Sequence, residues 1–304
     1  MMKLLRNLLA FLLVGQAALV PTHAEATGVV QSPLLWRIEG PTPAYLFGTI
    51  HIPDPRVTTL HPAAEQAFAS ADVVVTELKM DMATMTMAAQ AMLLPAPQKL
   101  STMLDASQRA QLESELKAIS PQLKLALFER LKPWALATQL ALLPMQRKHP
   151  GVPALDLQLA QRAETAGKRN EGLEQVQEQL GIFDGLNQAE QLALMQETLD
   201  GLAKARRTGK NIVELLTEAY LSGEEAKVEA LLKEFQGENT ALNQRLTKAL
   251  IDDRNRTMSN RIIAKLKAEP KKRYFVAVGA AHLIGPTSIV ALLRQQGYTV
   301  TRIQ

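Results

Sequence analysis

Residues 45 to 51 read Y-L-F-G-T-I-H and residues 275 to 282 read F-V-A-V-G-A-A-H, in a chain that has only five histidines. Each stretch is an apolar, aromatic or β-branched run that ends in Gly, two small or apolar residues and His. Such runs read as buried strands. A histidine just beyond the carboxyl end of a strand stands where open α/β sheets expose their ligand crevice. Gly48 and Gly279, lacking a Cβ, permit a sharp turn or a close neighbour at that point.

Working outward from the first stretch, L-L-W-R-I-E (34–39), a P-T-P turn and A-Y-L-F-G-T-I-H (44–51) predict a β-hairpin. His61-Pro62 opens a helix running through Ala71, and V-V-V-T-E-L (73–78) is a β-branched strand that closes on Glu77. Around the second stretch, R-Y-F-V-A-V-G-A-A-H (273–282) predicts a strand, residues 286–296 a helix and Y-T-V-T-R-I (298–303) a last strand. From Met80 to Ala268 the texture changes: apolar residues recur at spacings of three and four, and Leu, Ala, Gln, Glu and Lys dominate. Breaks fall at Pro95 and Pro97, Ser120-Pro121, the P-G-V-P of 150–153, and Gly167, Gly185, Gly209, Gly223 and Gly237.

Strand-forming sequence therefore sits at both ends of the chain. Because strands need partners, the expected fold is α/β: one mixed central sheet built from the N- and C-terminal segments, with a long, mostly helical middle region inserted. Residues 27–304 read as a single domain, with a β-rich half-site at 27–79, a helical block at 80–268 and a second β-rich half-site at 269–304. Sheet closure would bring His51 and His282 into one crevice.

Residues 1–26 place Lys3 and Arg6 before an apolar run and end in small residues, the pattern of a secretory signal peptide cleaved after Ala24 or Ala26. The run from Leu8 to Val20 is shorter than the roughly 20 apolar residues of a spanning helix. The expectation is a periplasmic or secreted protein with no stable membrane anchor after cleavage. The absence of cysteine excludes disulfides and thiolate ligands, so any metal must be held by nitrogen and oxygen donors. The 34 basic and 30 acidic side chains nearly balance, which predicts neither nucleic-acid nor polybasic membrane binding. No nucleophile elbow, P-loop, H-E-x-x-H or dinucleotide fingerprint is present.

Taken singly, each G-x-x-H histidine reads as a satisfied structural residue; the recurrence of its context points to a site. The remaining histidines lie in the leader (His23), before a proline at a helix start (His61) and in a Pro-rich turn (His149). Glu77 follows a run expected to be buried, where an unpaired carboxylate is costly. Two imidazoles and a carboxylate (His51, His282 and Glu77) form a ligand set for a divalent metal. The methionines of residues 80–92 read as a flexible apolar helix face or a peptide-contacting surface.

The chain resembles the TraB/GumN family, the bacterial relatives of the Tiki proteins. The resemblance rests on L-W-R-I-E-G (35–40), the two G-x-x-H stretches, V-V-V-T-E-L, G-L-E-Q-V-Q-E-Q-L (172–180) and D-R-N-R (253–256). It implies a fold akin to erythromycin-esterase-like and ChaN-like proteins, and a manganese- or cobalt-dependent peptidase activity. It carries His51, Glu77 and His282 over as the motif residues. Arg254 and Asn255 are carried over as a polar pair on a late helix that would stabilise an oxyanion, and Glu174 as a mid-chain catalytic acid. Two positions depart from the family pattern: Gln175 replaces a small hydroxyl residue after Glu174, and Ala154 replaces a glycine two before Asp156. These put the roles of Glu174 and Asp156 in question.

Four functions follow from this reading. The first is an exported metal-dependent hydrolase, a peptidase acting on a peptide or protein substrate. The second is a metal-independent hydrolase using the same His and Glu residues. The third is a non-catalytic peptide-sequestering protein, and the fourth a purely structural use of G-x-x-H. Substrate, metal identity and oligomeric state stay open at this point.

Overall fold

The computed structural model describes residues 30–235 and 241–304. The leader expected over residues 1–26, with its two cleavage positions, lies outside the described residues. Strands β1 (Leu35–Ile38) and β2 (Ala44–Thr49) form the expected hairpin, with Trp36 opposite Leu46. The short helix α1 (Pro55–Thr58), capped by Asp54, and α2 (Pro62–Ser70), capped by the His61 side chain, lead into β3 (Val73–Leu78). Both helices begin with Pro at the first position, where the missing N–H is unneeded.

The middle region supplies α3 (Met82–Ala91), α4 (Ala106–Ile119), α5 (Pro133–Lys148) and α6 (Leu155–Thr165). After β4 (Arg169–Glu174) come α7 (Val176–Asp184), α8 (Gln188–Thr208), α9 (Ile212–Ser222), α10 (Glu225–Phe235) and α11 (Ala241–Thr247). A π-helical turn over Lys248–Asp253 leads without interruption into α12 (Arg254–Ala268). The chain ends with β5 (Tyr274–Gly279), α13 (Ile289–Gln295) and β6 (Val300–Ile303).

The six strands of the described residues form one mixed sheet in the order β4-β3-β5-β2-β1-β6. Strands β2, β5, β3 and β4 run parallel, while β1 is antiparallel to both β2 and β6. The sheet thus joins the two ends of the chain as the sequence predicts. The helical block needs one correction, because it contributes an edge strand of its own. R-N-E-G-L-E lacks the β-branched run that marks β3, and it becomes a strand by adding in parallel to β3. Neighbouring strands rather than local propensity decide that segment.

One apolar core surrounds the sheet, with Trp36, Leu46, Phe47, Phe68, Val74, Phe275 and Ile262 among its members. A second lies within the helical region around Trp134, Phe183, Leu112, Leu140, Leu194 and Leu199. In the second core Trp134 stacks on Phe183 at 5.2 Å and donates its indole N–H to Asp184 at 2.9 Å. Leu78, the last residue of β3, and Val176, the first residue of α7 just beyond β4, belong to this helical core, so the junction of the two cores falls at one edge of the sheet.

Candidate active site

That edge is the carboxyl end of four parallel strands. Thr49 pairs with Gly279 across β2 and β5, and Leu78 with Glu174 across β3 and β4, so the strand ends are level. Polar side chains issuing from them converge: His51 beyond β2, Glu77 in β3, Glu174 in β4 and His282 beyond β5. All four are buried, Glu77 and His282 completely. Such a cluster inside an apolar surround persists only if its members satisfy one another.

The small residues of the two motifs allow this convergence. A Cβ on Gly48 would lie 3.0 Å from the Leu34 Cβ and 3.3 Å from the Ala280 Cα, so the glycine of one G-x-x-H lies directly against the segment carrying the other. The buried hydroxyl of Tyr220 on α9 donates to the Gly48 carbonyl at 2.9 Å and fixes the same turn.

Each histidine is anchored through Nδ1. His51 Nδ1 lies 2.5 Å from Asp156 Oδ2, and the other oxygen of Asp156 accepts from the Thr49 hydroxyl at 2.8 Å. Burial by itself lowers the His51 pKa, but the charge and hydrogen bond of Asp156 outweigh it and raise the value above 6.5. Its Nε2 is buried without a partner in the protein. His282 Nδ1 lies 2.6 Å from Asn255 Oδ1, while Asn255 Nδ2 donates to the Thr287 carbonyl at 2.9 Å. Burial and the nearby Arg254 charge push His282 down to about 3, so its ring is neutral.

Arg254 occupies the centre of the cluster. Its Nε donates to both Glu174 oxygens at 3.0 Å, and Nη2 donates to Glu77 Oε2 at 2.6 Å and to Glu174 Oε2 at 2.5 Å. Nη1 faces the Leu250 carbonyl at 3.3 Å and His282 Nε2 at 3.2 Å. Those partners take up all five guanidinium N–H groups. Glu77 also accepts from the Gly279 backbone N–H at 2.7 Å and from Gln179 Nε2 at 2.9 Å. Burial alone would raise the Glu77 carboxyl, yet Arg254, the two imidazoles and the Gly279 N–H bring it down to about 2. Glu174 shares the same guanidinium but moves upward, because burial and the neighbouring Glu77 charge prevail there.

Every residue expected from sequence to form a site, His51, Glu77, Glu174, Arg254, Asn255 and His282, is therefore in one buried cluster. Two of these residues already have partners in this structure. Arg254 and Asn255, expected from sequence as oxyanion donors, donate here to other groups, Arg254 to carboxylates and His282, and Asn255 Nδ2 to the Thr287 carbonyl. Sequence reasoning did not single out Thr49 and Gln179, and it left the role of Asp156 in question. Asp156 follows a Pro-rich turn in the first turn of α6, where an acid ordinarily serves the helix dipole. Thr49 sits inside a strand, and Gln179 lies on a helix among solvated acids, so neither carries a local signal.

The donor chemistry suits a divalent cation. His51 presents a buried, unpartnered Nε2, and His282 Nε2 lies 3.8 Å from Glu77 Oε1, too far for a hydrogen bond but within the spread of donors around one ion. Glu77, Glu174 and Asp156 set three carboxyl groups against the single guanidinium of Arg254, a formal excess of two negative charges. Among the described residues, however, no three His, Asp or Glu side chains are arranged to ligate one ion together as they stand. Arg254, not a third ligand, faces His282 Nε2.

A protein-family model, TraB/PrgY/gumN, matches residues 34–302, and the chain belongs to that family. Among curated proteins it is similar to Metalloprotease TIKI2 of Danio rerio, 29% identical over 97% of this chain and 66% of that protein. It is also 29% identical to Metalloprotease TIKI1 of Danio rerio, over 88% of this chain and 62% of the relative, and to Metalloprotease TIKI1 of Homo sapiens, over 88% and 61%. The chain thus spans somewhat under two thirds of the length of these relatives. No solved structure matches it significantly. Among the described residues no helix is long and apolar enough to cross a membrane.

Proposed function

We propose that this chain is an exported metal-dependent hydrolase acting on peptide or protein substrates, with a divalent ion held by His51, Glu77 and His282. The observation that carries the reading is the buried, unpartnered Nε2 of His51, fixed by Asp156 on its far side and set in a cluster with an excess of carboxylates. An imidazole oriented through its other nitrogen by a carboxylate is the usual outer support of a metal-ligating histidine. The relatives named as metalloproteases support the same class.

A divalent ion bound there supplies Lewis acidity toward a peptide carbonyl and makes water a better nucleophile near neutral pH. The protein's own groups do the rest. Asp156 and Asn255 hold the two imidazoles by Nδ1, which directs both Nε2 atoms inward. Arg254 fixes Glu77 and Glu174 relative to each other. Glu174, whose carboxyl is raised by burial, is the group suited to take and return a proton. Manganese or cobalt fits the mixed nitrogen and oxygen donors, and zinc is compatible with them. The leader read in residues 1–26 supports a periplasmic or secreted location.

A second reading has its own observation. A histidine with one nitrogen on a buried aspartate and the other unpartnered is also the arrangement of a general base, so His51 and Asp156 suit metal-independent hydrolysis of an ester or amide. The experiment that separates the two is metal content of purified wild type, His51→Ala and His282→Ala, with peptide-library cleavage in added manganese, cobalt or zinc and in chelator. Metal lost in both variants, with cleavage abolished by chelator, supports the metallopeptidase. Cleavage that persists in chelator overturns it in favour of the general base.

A further inference from the structure

We infer that Arg254 is the site's resident cation and sets its metal affinity: a divalent ion enters only as the guanidinium gives up His282 Nε2. The inference rests on the metal-site reading above and adds to it the competitor that the ion must displace.

An arginine side chain donates and never accepts, so the 3.2 Å contact makes His282 Nε2 the acceptor and leaves the ring proton on Nδ1, pointing at Asn255 Oδ1. A neutral imidazole has one lone pair in the ring plane. Donated to Arg254 Nη1, that pair is not available to an ion. Glu77 is held in part, with Oε2 accepting from Arg254 Nη2 at 2.6 Å and from Gln179 at 2.9 Å while Oε1 accepts only from the Gly279 N–H at 2.7 Å. Beyond this competition for lone pairs, a guanidinium buried to within 4% of full burial repels a second cation across a medium that screens poorly. The same charge keeps two buried carboxylates tolerable while no ion is bound.

The fold provides a place for the guanidinium to go. Three of its hydrogen bonds, two from Nε and one from Nη2, are to Glu174 alone, so Arg254 can release His282 and Glu77 and remain paired at the edge strand β4. Its backbone is the first residue of α12 after the π-helical turn Lys248–Asp253. Single π turns inside helices mark places where one inserted residue alters side-chain direction, and they occur preferentially at functional sites. The turn also supplies the Leu250 carbonyl that receives Nη1.

The test is isothermal titration of manganese into the full chain, wild type against Arg254→Met, with thermal unfolding of both in chelator and in metal. Removing the competing cation is expected to tighten manganese binding at least about tenfold. In chelator the variant melts below wild type, because Glu77 and Glu174 lose their counter-charge, and manganese restores more of its stability than it adds to wild type. Equal or weaker binding by a folded Arg254→Met protein overturns this inference and leaves the metal-site reading standing. No binding by either protein overturns both. Should Arg254→Met not fold, crystals of wild type grown with and without manganese decide the matter: loss of the Nη1 contact to His282 Nε2 on loading is expected, and its retention in the loaded protein refutes the inference.

Discussion

Asp156 is the residue whose replacement tests the site most directly, because it touches both the His51 ring and the Thr49 hydroxyl while lying completely buried. In Asp156→Asn the shape is kept. The amide oxygen can accept from His51 Nδ1, and the amide N–H can donate to Thr49, so two hydrogen bonds survive without the charge. The loss is the difference between charge-assisted and neutral bonds, about 1–2 kcal/mol. In Asp156→Ala both partners are left buried and unsatisfied, and the expected cost rises to about 3–5 kcal/mol. For a chain of this size, with an unfolding entropy of about 0.6 kcal/mol/K, these correspond to melting temperatures lowered by roughly 2–4 °C and roughly 5–9 °C. Because an outer-support carboxylate sets both the tautomer and the basicity of its histidine, the proposed metal site predicts that Asp156→Asn weakens manganese binding by about 10- to 100-fold. Differential scanning calorimetry in chelator gives the first pair of numbers and metal titration the last. An Asp156→Ala protein as stable as wild type would refute the reasoning, as would an asparagine variant no more stable than the alanine one.

Two further outcomes follow from local geometry. Gly48→Ala places a methyl group 3.0 Å from Leu34 and 3.3 Å from Ala280 and is expected to cost about 1–3 kcal/mol, whereas Gly181→Ala, on α7 with nothing within 4 Å, gains about 0.5–1 kcal/mol; urea unfolding checks both signs. Burial alone would raise the carboxyl of Asp54, but hydrogen bonds from the Arg56 side chain and backbone hold it below 3.8, so its contribution is present above that pH and is lost as pH falls through the depressed value. The stability difference between wild type and Asp54→Asn is accordingly flat near neutrality and shrinks in acid, and a difference that grows in acid contradicts the assignment.

Much of this molecule can be read from its residues. V-V-V-T-E-L and F-V-A-V-G (275–279) are strands by composition, since aromatic and β-branched runs of that length favour extended backbone, while Ala280–His282 turns out of β5 as a single 3-10 turn. Their placement at opposite ends points to one sheet, and the repeated Gly-x-x-His picks out two side chains of the candidate site. The β4 segment was not legible in this way: R-N-E-G-L-E has no strand pattern and pairs only because β3 presents a parallel edge to it.

The sequence by itself determined which residue types meet, His51, Glu77 and His282, because strand ends and glycines are local properties that leave a local trace. Only the tertiary structure decided how they are held. Asp156 reaches His51 from 105 residues away, and Arg254 reaches Glu77 from 177 residues away. Contacts of that separation depend on how helices from the middle region pack over the sheet edge. An acid in a helix's first turn and an arginine on a polar helix look the same in sequence whether they face water or a buried carboxylate. Burial alone turns the first into the anchor of a histidine and the second into the central cation of the site.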